Sequence, residues 1–280
     1  MQTVVIIGTG LIGGSFALAL KRAGFHGKII GVSSPATIQV ARERGVIDEA
    51  LALEDALPQA DLVYLAQPIS RILDTLGKLD PLLRPGCLVT DAGSTKWLIV
   101  ETARRNIRRA QFLGGHPMAG KEKRGVEAAE ANLFEGRTYV LTPREPSELE
   151  TPAAISFLRW IHRIGAVPMV LAPAEHDRVV AYTSHLPQLA STTLAAMLAE
   201  QITDSEHRKV AGPGLADMTR LALSPHSIWL DILRTNMGEI DKALSCYIQR
   251  LEQMRKSLKD EGEIRQEFEA AASLASSLPR

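Results

Sequence analysis

The sequence is poor in cysteine and carries no excess of charge of either sign. Only two cysteines, Cys87 and Cys246, occur in 280 residues. Two are too few for a disulfide framework or a cysteine-rich zinc site, so we expect buried thiols in a reducing cytoplasm and no metal site. The 32 Lys and Arg residues balance 32 Asp and Glu residues. Because no overall basic field exists, we expect neither a nucleic acid nor a membrane as partner.

No stretch of the sequence has the character of an export or membrane signal. Residues 1–20 are uncharged, but four glycines interrupt them and no Lys or Arg opens them. Residues 179–199 are long enough to span a bilayer, yet His185, Pro187 and Gln188 would make insertion costly. We interpret this second stretch as a buried helix, and we expect a cytoplasmic protein.

The first half of the chain alternates short apolar runs with helical patterns. The apolar runs lie at 4–7, 28–32, 61–66, 86–90, 111–114, 137–141 and 166–170. Continuous apolar strands that alternate with helices indicate a mostly parallel sheet covered on both faces. The pattern changes near Pro173, and after that residue it is helical only.

Glycines form a nucleotide-binding pattern directly after the first predicted strand. Gly8, Gly10 and Gly13 fit G-x-G-x-x-G, with Leu11 and Ile12 between them, and the pattern opens a helix. The first glycine permits a tight turn, the second lets a pyrophosphate approach, and the third lets helix and strand pack closely. Backbone N–H groups at the helix start would face the phosphates. A glycine-rich turn without a ligand is the alternative.

These observations predict two domains. Residues 1–172 should form an α/β Rossmann-type dinucleotide-binding domain, and residues 173–280 an all-helical domain for substrate binding and dimerisation. A heptad-like apolar stripe in the helical part comprises Ile240, Leu244, Tyr247, Leu251, Met254 and Leu258. The stripe fits a helix hairpin and a dimer seam about equally well. Because the stripe and the helix at 179–199 leave much apolar surface to cover, we favour a homodimer through the C-terminal helices.

The position that would meet the adenine ribose is not acidic. An NAD site usually has Asp or Glu about 20 residues past the glycines. Here Ser33 and Ser34 follow the second predicted strand, so hydroxyls could donate to a 2′-phosphate and no carboxylate would repel it. Arg42 or Arg44 could add positive charge, although both lie well into the next helix. We expect NADP or NAD as cofactor, with a preference for NADP.

Two further loops follow predicted strands, where ligands bind in open parallel sheets. Gln67 and Pro68 follow the run at 61–66, and we assign them to the cofactor site. Ser94 lies in D-A-G-S-T-K at 91–96 and should border the nicotinamide. Its hydroxyl could bind substrate or cap the next helix, and the sequence favours neither.

A histidine in G-G-H-P-M-A-G, residues 114–120, is the strongest catalytic candidate. Gly115 lets another group come close to His116, and Pro117 restricts the histidine to an extended backbone. A neutral imidazole held there can accept a proton at physiological pH. We therefore predict a catalytic role for His116.

Two polar residues of the helical part are candidate substrate ligands. His185, in S-H-L-P, fits a helix start or kink that faces a cleft, or a satisfied core residue. Arg220, in D-M-T-R, could bind a carboxylate through a two-pronged contact of about 1.5 to 3 kcal/mol, or form a surface ion pair.

Five motifs occur in one order over essentially the whole chain. They are G-T-G-L-I-G at 8–13, D-A-G-S-T-K at 91–96, G-G-H-P-M-A-G at 114–120, S-H-L-P at 184–187 and D-M-T-R at 217–220. In this combination the chain resembles the prephenate/arogenate dehydrogenases of tyrosine biosynthesis. The third motif is specific to that family, whereas the glycine motif is not. We expect a monofunctional member without a chorismate mutase segment or a regulatory domain.

The resemblance implies oxidative decarboxylation of prephenate to 4-hydroxyphenylpyruvate, with hydride transfer to NAD(P). His116 would accept the hydroxyl proton and Ser94 would share the hydrogen bond, while His185 and Arg220 hold the small-molecule substrate. Arogenate, with an amino group in place of the keto group, would give tyrosine directly. Family members are usually dimers through the helical domain. Around Ala216 some members carry a basic residue, and its absence makes anion recognition more dependent on Arg220.

Two other functions fit the same plan. A β-hydroxyacid dehydrogenase would need a catalytic lysine in the helical domain, and no lysine after residue 173 lies in a glycine-rich segment. Those lysines are Lys209, Lys242, Lys256 and Lys259. A non-catalytic dimeric regulator would bind NAD(P) without converting prephenate or arogenate.

Overall fold

A computed structural model of the chain describes residues 1–121 and 123–278. Its strands are β1 Thr3–Ile7, β2 Lys28–Val32, β3 Glu49–Ala50, β4 Leu62–Leu65, β5 Leu88–Asp91, β6 Gln111–Pro117, β7 Thr138–Thr142 and β8 Val167–Val170. They form one sheet in the order β3-β2-β1-β4-β5-β6-β7-β8. Neighbouring strands are parallel except for β6 and β7, which are antiparallel. The prediction of a mostly parallel sheet is confirmed, and only the two-residue β3 was not predicted.

Among the described residues, six α-helices and some short 3-10 helices connect the strands of the sheet. The α-helices are α1 Leu11–Arg22, α2 Pro35–Glu43, α3 Leu53–Ala56, α4 Ile69–Leu79, α5 Trp97–Asn106 and α6 Pro152–Arg163. Local sequence fixes where several of them begin. At α6, the Thr151 hydroxyl accepts a hydrogen bond from the Ala154 N–H at 3.2 Å, and Pro152 occupies the first turn. A capping hydroxyl and a first-turn proline are both favourable at a helix N-terminus.

The sheet separates two apolar cores. Because successive side chains of a strand point to opposite faces, Val4 and Ile6 of β1 belong to one core and Val5 and Ile7 to the other. The first core packs α1 and α6 on the sheet, and Phe16 stacks on Tyr64 with ring centroids 4.1 Å apart. The second core packs α4 and α5 on the opposite face. It continues into the helical part of the chain, so the helical part is joined to one face of the sheet.

From Pro173 onward, the regular elements of the described chain are helical, as predicted. They are α7 Pro173–Val180, a π-helical turn Ala181–His185, α8 Leu186–Gln201, α9 Ser205–Arg208, α10 Pro213–Thr219, a 3-10 helix Arg220–Leu223, α11 His226–Thr235, α12 Met237–Ser257 and α13 Glu261–Ser277. The π-helical turn lies just before Pro187, whose ring removes a backbone donor and disturbs the helical hydrogen-bond ladder. No helix in the described ranges is long and apolar enough to cross a membrane.

Much apolar surface in the helical part is exposed in a single chain. The predicted burial of the helix at 179–199 is correct only for its first part in one chain: Val180, Ala181 and His185 are buried, whereas α8 buries only Gln188 and Ser191. In the apolar stripe, Ile240 packs into the second core, whereas Leu251 and Leu258 are 51% and 68% exposed. A hairpin does form within the chain, since Arg250 on α12 bonds to Glu267 on α13 at 2.8 Å.

The two cysteines have different surroundings. Cys87 is buried before β5, as predicted, and burial raises the pKa of its thiol to about 11. Cys246 on α12 is exposed, so the prediction of two buried thiols is wrong for this residue. Its sulfur accepts a hydrogen bond from the Tyr182 hydroxyl at 3.5 Å, and the residue belongs to neither core.

Candidate active site

The glycine turn between β1 and α1 forms an open cradle. Gly8 has a φ of +96°, and a Cβ there would lie 2.6 Å from the Ala66 carbonyl oxygen. A Cβ on Gly13 would lie 2.2 Å from the Gly8 carbonyl oxygen, so both positions require glycine. A Cβ on Gly10 would meet no atom within 4 Å, which leaves space over its backbone. Because α1 begins at Leu11 without a side-chain cap on its N-terminus, the cradle fits a pyrophosphate.

Five of the predicted residues line a cavity of about 330 Å³ next to this turn. They are Leu11, Ile12, Gln67, Pro68 and Ser94. The other side of the cavity is formed by α11, which includes Asp231. The Asp231 carboxylate accepts a hydrogen bond from the Ser70 N–H at 2.9 Å, so α11 is held at the N-terminus of α4. The cavity therefore lies between the carboxyl edge of the sheet and the helical part.

Basic residues of the loop after β6 also line this cavity, and none was predicted as a site residue. They are Lys121, Lys123 and Arg124. The Arg124 guanidinium donates to the Ser227 hydroxyl at 3.1 Å, which ties the loop to α11, and Lys121 forms an ion pair with Glu130. Cations beside the groove favour phosphate groups. In the sequence nothing distinguishes these residues from solvated surface cations.

The two serines after β2 have different roles. Ser34 caps α2, because its hydroxyl accepts from the Thr37 N–H at 3.4 Å. Ser33 is exposed directly after β2, at the position where the adenine ribose of a bound dinucleotide would lie. The Arg44 guanidinium donates to carbonyl oxygens of residues 126–129, two of them at 3.0 Å. Arg44 is therefore committed to that loop, which leaves Arg42 on α2 as the other candidate for a 2′-phosphate.

Ser94 does not provide the cap of α5. The first N–H groups of this helix, those of Lys96 and Trp97, donate to the Asp177 carboxylate at 2.6 and 2.9 Å. A carboxylate from the start of the helical part therefore caps a helix of the sheet domain. Of the two interpretations left open by the sequence, the geometry favours the one in which the Ser94 hydroxyl faces the cavity.

His116 lies on β6 and is 9% exposed. Its Nδ1 lies 2.8 Å from Nε2 of His176, and Nδ1 of His176 lies 2.8 Å from Oδ1 of Asp177. The strand β6 thus brings the predicted catalytic histidine against α7, the first helix of the helical part. Hydrogen bonds therefore join two imidazoles and a carboxylate in a line. Neither His176 nor Asp177 was predicted as a site residue from the sequence.

A buried ion pair holds the backbone next to His116. Lys96 and Asp91 are both fully buried, and the ammonium group of Lys96 pairs with the carboxylate of Asp91. Lys96 also donates to the Gly115 carbonyl oxygen at 2.7 Å, while the Gly115 N–H donates to Asp91 at 3.1 Å. Because the Lys96 ammonium group binds the carbonyl oxygen of Gly115 and the Asp91 carboxylate binds its N–H, the ion pair fixes the backbone directly before His116.

The electrostatics of the site keep His116 neutral. Burial lowers its pKa well below 6.5, and the nearby His176, Lys96 and His185 act in the same direction. Burial also lowers the pKa of His176, against the opposing effect of Asp177. A neutral imidazole at physiological pH has one unprotonated nitrogen, so His116 can act as a proton acceptor.

His185 is buried at the end of the π-helical turn, and its hydrogen bonding determines its tautomer. The Asn236 amide nitrogen donates to the Asp177 carbonyl oxygen at 2.8 Å and lies 3.3 Å from Nδ1 of His185. A carbonyl can only accept, so the amide presents its NH₂ group there and Nδ1 of His185 is the acceptor. The proton of His185 is then on Nε2. Burial lowers the pKa of His185 to about 4, so it too is neutral.

Arg220 is exposed at the start of the 3-10 helix Arg220–Leu223, outside the residues that line the cavity. Two hydrogen bonds hold this turn against α8. Gln188 donates to the Leu221 carbonyl oxygen at 2.8 Å, and the Ala222 N–H donates to the Ser191 hydroxyl at 3.2 Å. Since α8 begins directly after His185, the turn that carries Arg220 is anchored to the helix next to that histidine.

Comparison with known proteins adds independent information. Two family models match: prephenate dehydrogenase, nucleotide-binding domain, over residues 16–169, and prephenate dehydrogenase, dimerization domain, over residues 172–270. The prephenate dehydrogenase of Lactococcus lactis is 37% identical over 266 residues, which cover 93% of this chain and 70% of that protein.

Solved structures show the same similarity. Prephenate dehydrogenase from Aquifex aeolicus, in complex with hydroxyphenyl propionate and NAD+, superposes with a TM-score of 0.86 at 33% identity, over 99% of this chain and 97% of that one. Arogenate dehydrogenase from Synechocystis gives a TM-score of 0.83 at 33% identity, over 98% and 99% of the two chains. Sequence and fold therefore agree over nearly the whole length, and the chain belongs to the prephenate dehydrogenase family.

Proposed function

We propose that the protein is an NAD(P)-dependent prephenate dehydrogenase that converts prephenate to 4-hydroxyphenylpyruvate and CO₂. The observation that carries this proposal is the position of His116. It is a buried, neutral imidazole next to Gly115, whose N–H bonds to Asp91 on the adjacent strand. Ser94, three residues past Asp91, lines the cavity beside the glycine turn. His116 is not itself among the residues that line the cavity; Gly115, Asp91 and Ser94 connect it to the strand end that borders the groove for the dinucleotide.

In this proposal the protein supplies orientation and proton transfer. Nε2 of His116 takes the proton of the ring hydroxyl, and the Ser94 hydroxyl shares that hydrogen bond. Bound NAD(P)+ supplies the hydride acceptor. His185, with its proton on Nε2, donates a hydrogen bond to the substrate, and Arg220 binds a carboxylate. Loss of the ring carboxylate as CO₂ leaves an aromatic ring, which favours the forward reaction.

For the nucleotide, we propose that Ser33 permits NADP+ and that the glycine cradle holds either form. Glycines 8, 10 and 13 leave room for the pyrophosphate, and Leu11, Ile12, Gln67 and Pro68 line the adjoining cavity. The two residues that follow β2 are Ser33 and Ser34, and neither carries a carboxylate that would repel a 2′-phosphate. A preference for NADP+ over NAD+ follows from the absence of a carboxylate at these two described positions.

For the assembly, we propose a homodimer through the C-terminal helices. Supporting this are the exposed apolar side chains of α8 and α12, among them Met197, Leu251 and Leu258. Such surface favours burial against a second copy. The matching family model describes a dimerization domain over residues 172–270. We retain the division into 1–172 and 173–280, and the cytoplasmic location, as predictions.

A spectrophotometric assay tests the activity. Purified protein is mixed with prephenate or arogenate and with NAD+ or NADP+, and reduced nucleotide is followed by its absorbance at about 340 nm. We expect turnover with prephenate and formation of 4-hydroxyphenylpyruvate. Turnover with arogenate alone would instead indicate an arogenate dehydrogenase. This is the second candidate function, and the similarity to the Synechocystis arogenate dehydrogenase structure is the observation that supports it. Nucleotide binding without an absorbance change in all four mixtures would contradict the proposal and indicate a regulator.

A further inference from the structure

We propose that His176 and Asp177 are positioning residues that hold His116 with its proton on Nδ1, so that Nε2 is free to accept the substrate proton. The role of the accepted proton rests on the proposed function. The tautomer itself is a property of the free protein and can be tested separately.

The Asp177 carboxylate is where the direction of the hydrogen bonds is set. Oδ1 accepts from the Lys96 N–H and lies 2.8 Å from Nδ1 of His176, and Oδ2 accepts from the Trp97 N–H. Backbone N–H groups can only donate, and an ionised carboxylate can only accept. The third partner, Nδ1 of His176, must therefore carry a hydrogen that it donates to Asp177.

The donor and acceptor nitrogens of His176 determine those of His116. Because a neutral imidazole carries one N–H, a proton on Nδ1 of His176 leaves its Nε2 as an acceptor. That Nε2 lies 2.8 Å from Nδ1 of His116, so His116 must donate through Nδ1. Its own Nε2 is then unprotonated. The tautomer that can remove a proton is thus selected by a carboxylate two residues away along the hydrogen-bonded line.

The line also serves the step after proton transfer. When the substrate O–H bond breaks and the Nε2–H bond forms, His116 becomes an imidazolium. The Asp177 charge, acting through His176, stabilises this positive charge and holds the ring in place. Both positioning residues are buried, with His176 at 0% and Asp177 at 3% exposure, so solvent does not screen the interaction.

The hydrogen bonds of the positioning residues join two parts of the fold. His176 and Asp177 lie on α7, whereas His116 lies on β6 and Lys96 precedes α5. The hydrogen bonds that set the tautomer therefore form only when α7 is docked on the sheet domain.

The test is NMR spectroscopy of the full-length protein labelled with ¹⁵N in its histidines. Long-range ¹H–¹⁵N correlations show which ring nitrogen carries the proton, and spectra of H116N and H176A provide the assignments. In the wild type we expect His116 and His176 both protonated on Nδ1. Finding the His116 proton on Nε2 would overturn the proposal, whether or not the protein converts prephenate.

Kinetics of His176→Ala and His176→Gln complete the test. For His176→Ala we expect kcat to fall at least about tenfold, with the KM for prephenate and the Kd for nucleotide within about twofold of wild type, and Nε2-protonated His116 in the NMR spectrum. His176→Gln can still accept through its amide oxygen, so it should recover part of kcat. His162→Ala, at an exposed histidine of α6, is the matched control and should leave kcat and tautomer unchanged.

An unchanged kcat and tautomer in folded His176→Ala would contradict the positioning role. If His176→Ala does not fold, the wild-type tautomer and the kcat of His176→Gln decide the question. A wild type with the expected tautomers but no turnover of prephenate or arogenate would leave this inference standing and reject the proposed function. The two claims can therefore fail separately.

Discussion

The backbone N–H of Lys96 lies 2.6 Å from Oδ1 of Asp177, although the two residues are 81 positions apart. Lys96 belongs to the loop between β5 and α5, and Asp177 belongs to the first helix after the sheet. Through this contact one carboxylate caps α5 and also bonds to His176, the partner of His116. His116, the proposed proton acceptor, is therefore held by contacts at the junction between the sheet and the helical part.

Nucleotide preference should change with the residue that follows β2. In Ser33→Asp, a carboxylate would accept hydrogen bonds from a ribose 2′-hydroxyl and repel a 2′-phosphate. We expect kcat/KM for NADP+ to fall at least about tenfold relative to that for NAD+. Ser33→Asn is the matched control without charge and should change the ratio much less. An unchanged ratio in Ser33→Asp would remove this position from nucleotide recognition.

Substrate affinity should depend on Arg220. Loss of a two-pronged contact with a carboxylate costs about 1.5 to 3 kcal/mol, so in Arg220→Ala we expect the KM for prephenate to rise about tenfold or more. The value of kcat should change less, because the contact is made in both ground and transition states. Steady-state kinetics measure both constants, with Arg255→Ala, at an exposed arginine of α12, as control. An unchanged KM would reassign Arg220.

The stability of the fold should fall as the solution is acidified. The pKa of His185 is lowered from 6.5 to about 4 in the folded protein. As pH falls below 6.5, the unfolded chain therefore binds a proton that the folded chain does not. Between about pH 7.5 and about pH 5, this histidine should lower the free energy of unfolding by about 2 kcal/mol. His116 and His176, with lowered pKa values, act in the same direction.

Urea unfolding at the two pH values measures this loss. His185→Gln keeps a polar side chain but does not titrate, so the fall in unfolding free energy should be smaller in the variant by the His185 contribution. The same fall in both proteins would show that His185 is not the group responsible.

The assembly should depend on the exposed half of the apolar stripe. In the double variant Leu251→Glu and Leu258→Glu, two charges replace side chains that are 51% and 68% exposed in one chain. If both leucines are buried in a dimer, each loses about 1.5 to 3 kcal/mol of favourable burial, and we expect a monomer by light scattering. Gln253→Glu adds charge on the same helix without removing an apolar side chain and should remain dimeric. A dimeric double variant would place the interface elsewhere.

The regular parts of this molecule could be predicted from local sequence. Seven apolar runs marked seven strands, and the glycine pattern marked a turn in which Gly8 and Gly13 are sterically required. Such features depend on neighbouring residues, so a single sequence contains them. The end of the sheet at Val170, shortly before the helical part, was visible for the same reason.

The arrangement around His116 could not be predicted in the same way. His176 is 60 positions from His116, and a histidine followed by aspartate on a helix is typical of a solvated surface. Lys96 was visible in its motif, but its complete burial against Asp91 depends on the packing of β5, β6 and α7. Exposure of α8 and Cys246 was also missed, because the local pattern does not specify what covers an apolar helix.

The most direct test of the account is the kinetics of His116→Asn. Asparagine has a similar shape but no nitrogen that can take a proton, so we expect kcat with prephenate to fall about 100-fold or more. The Kd for the nucleotide should stay within about twofold of wild type, since no cofactor-binding residue is changed. Such a result would identify His116 as the proton acceptor. A variant with near-normal kcat would contradict the central claim that this imidazole removes the hydroxyl proton.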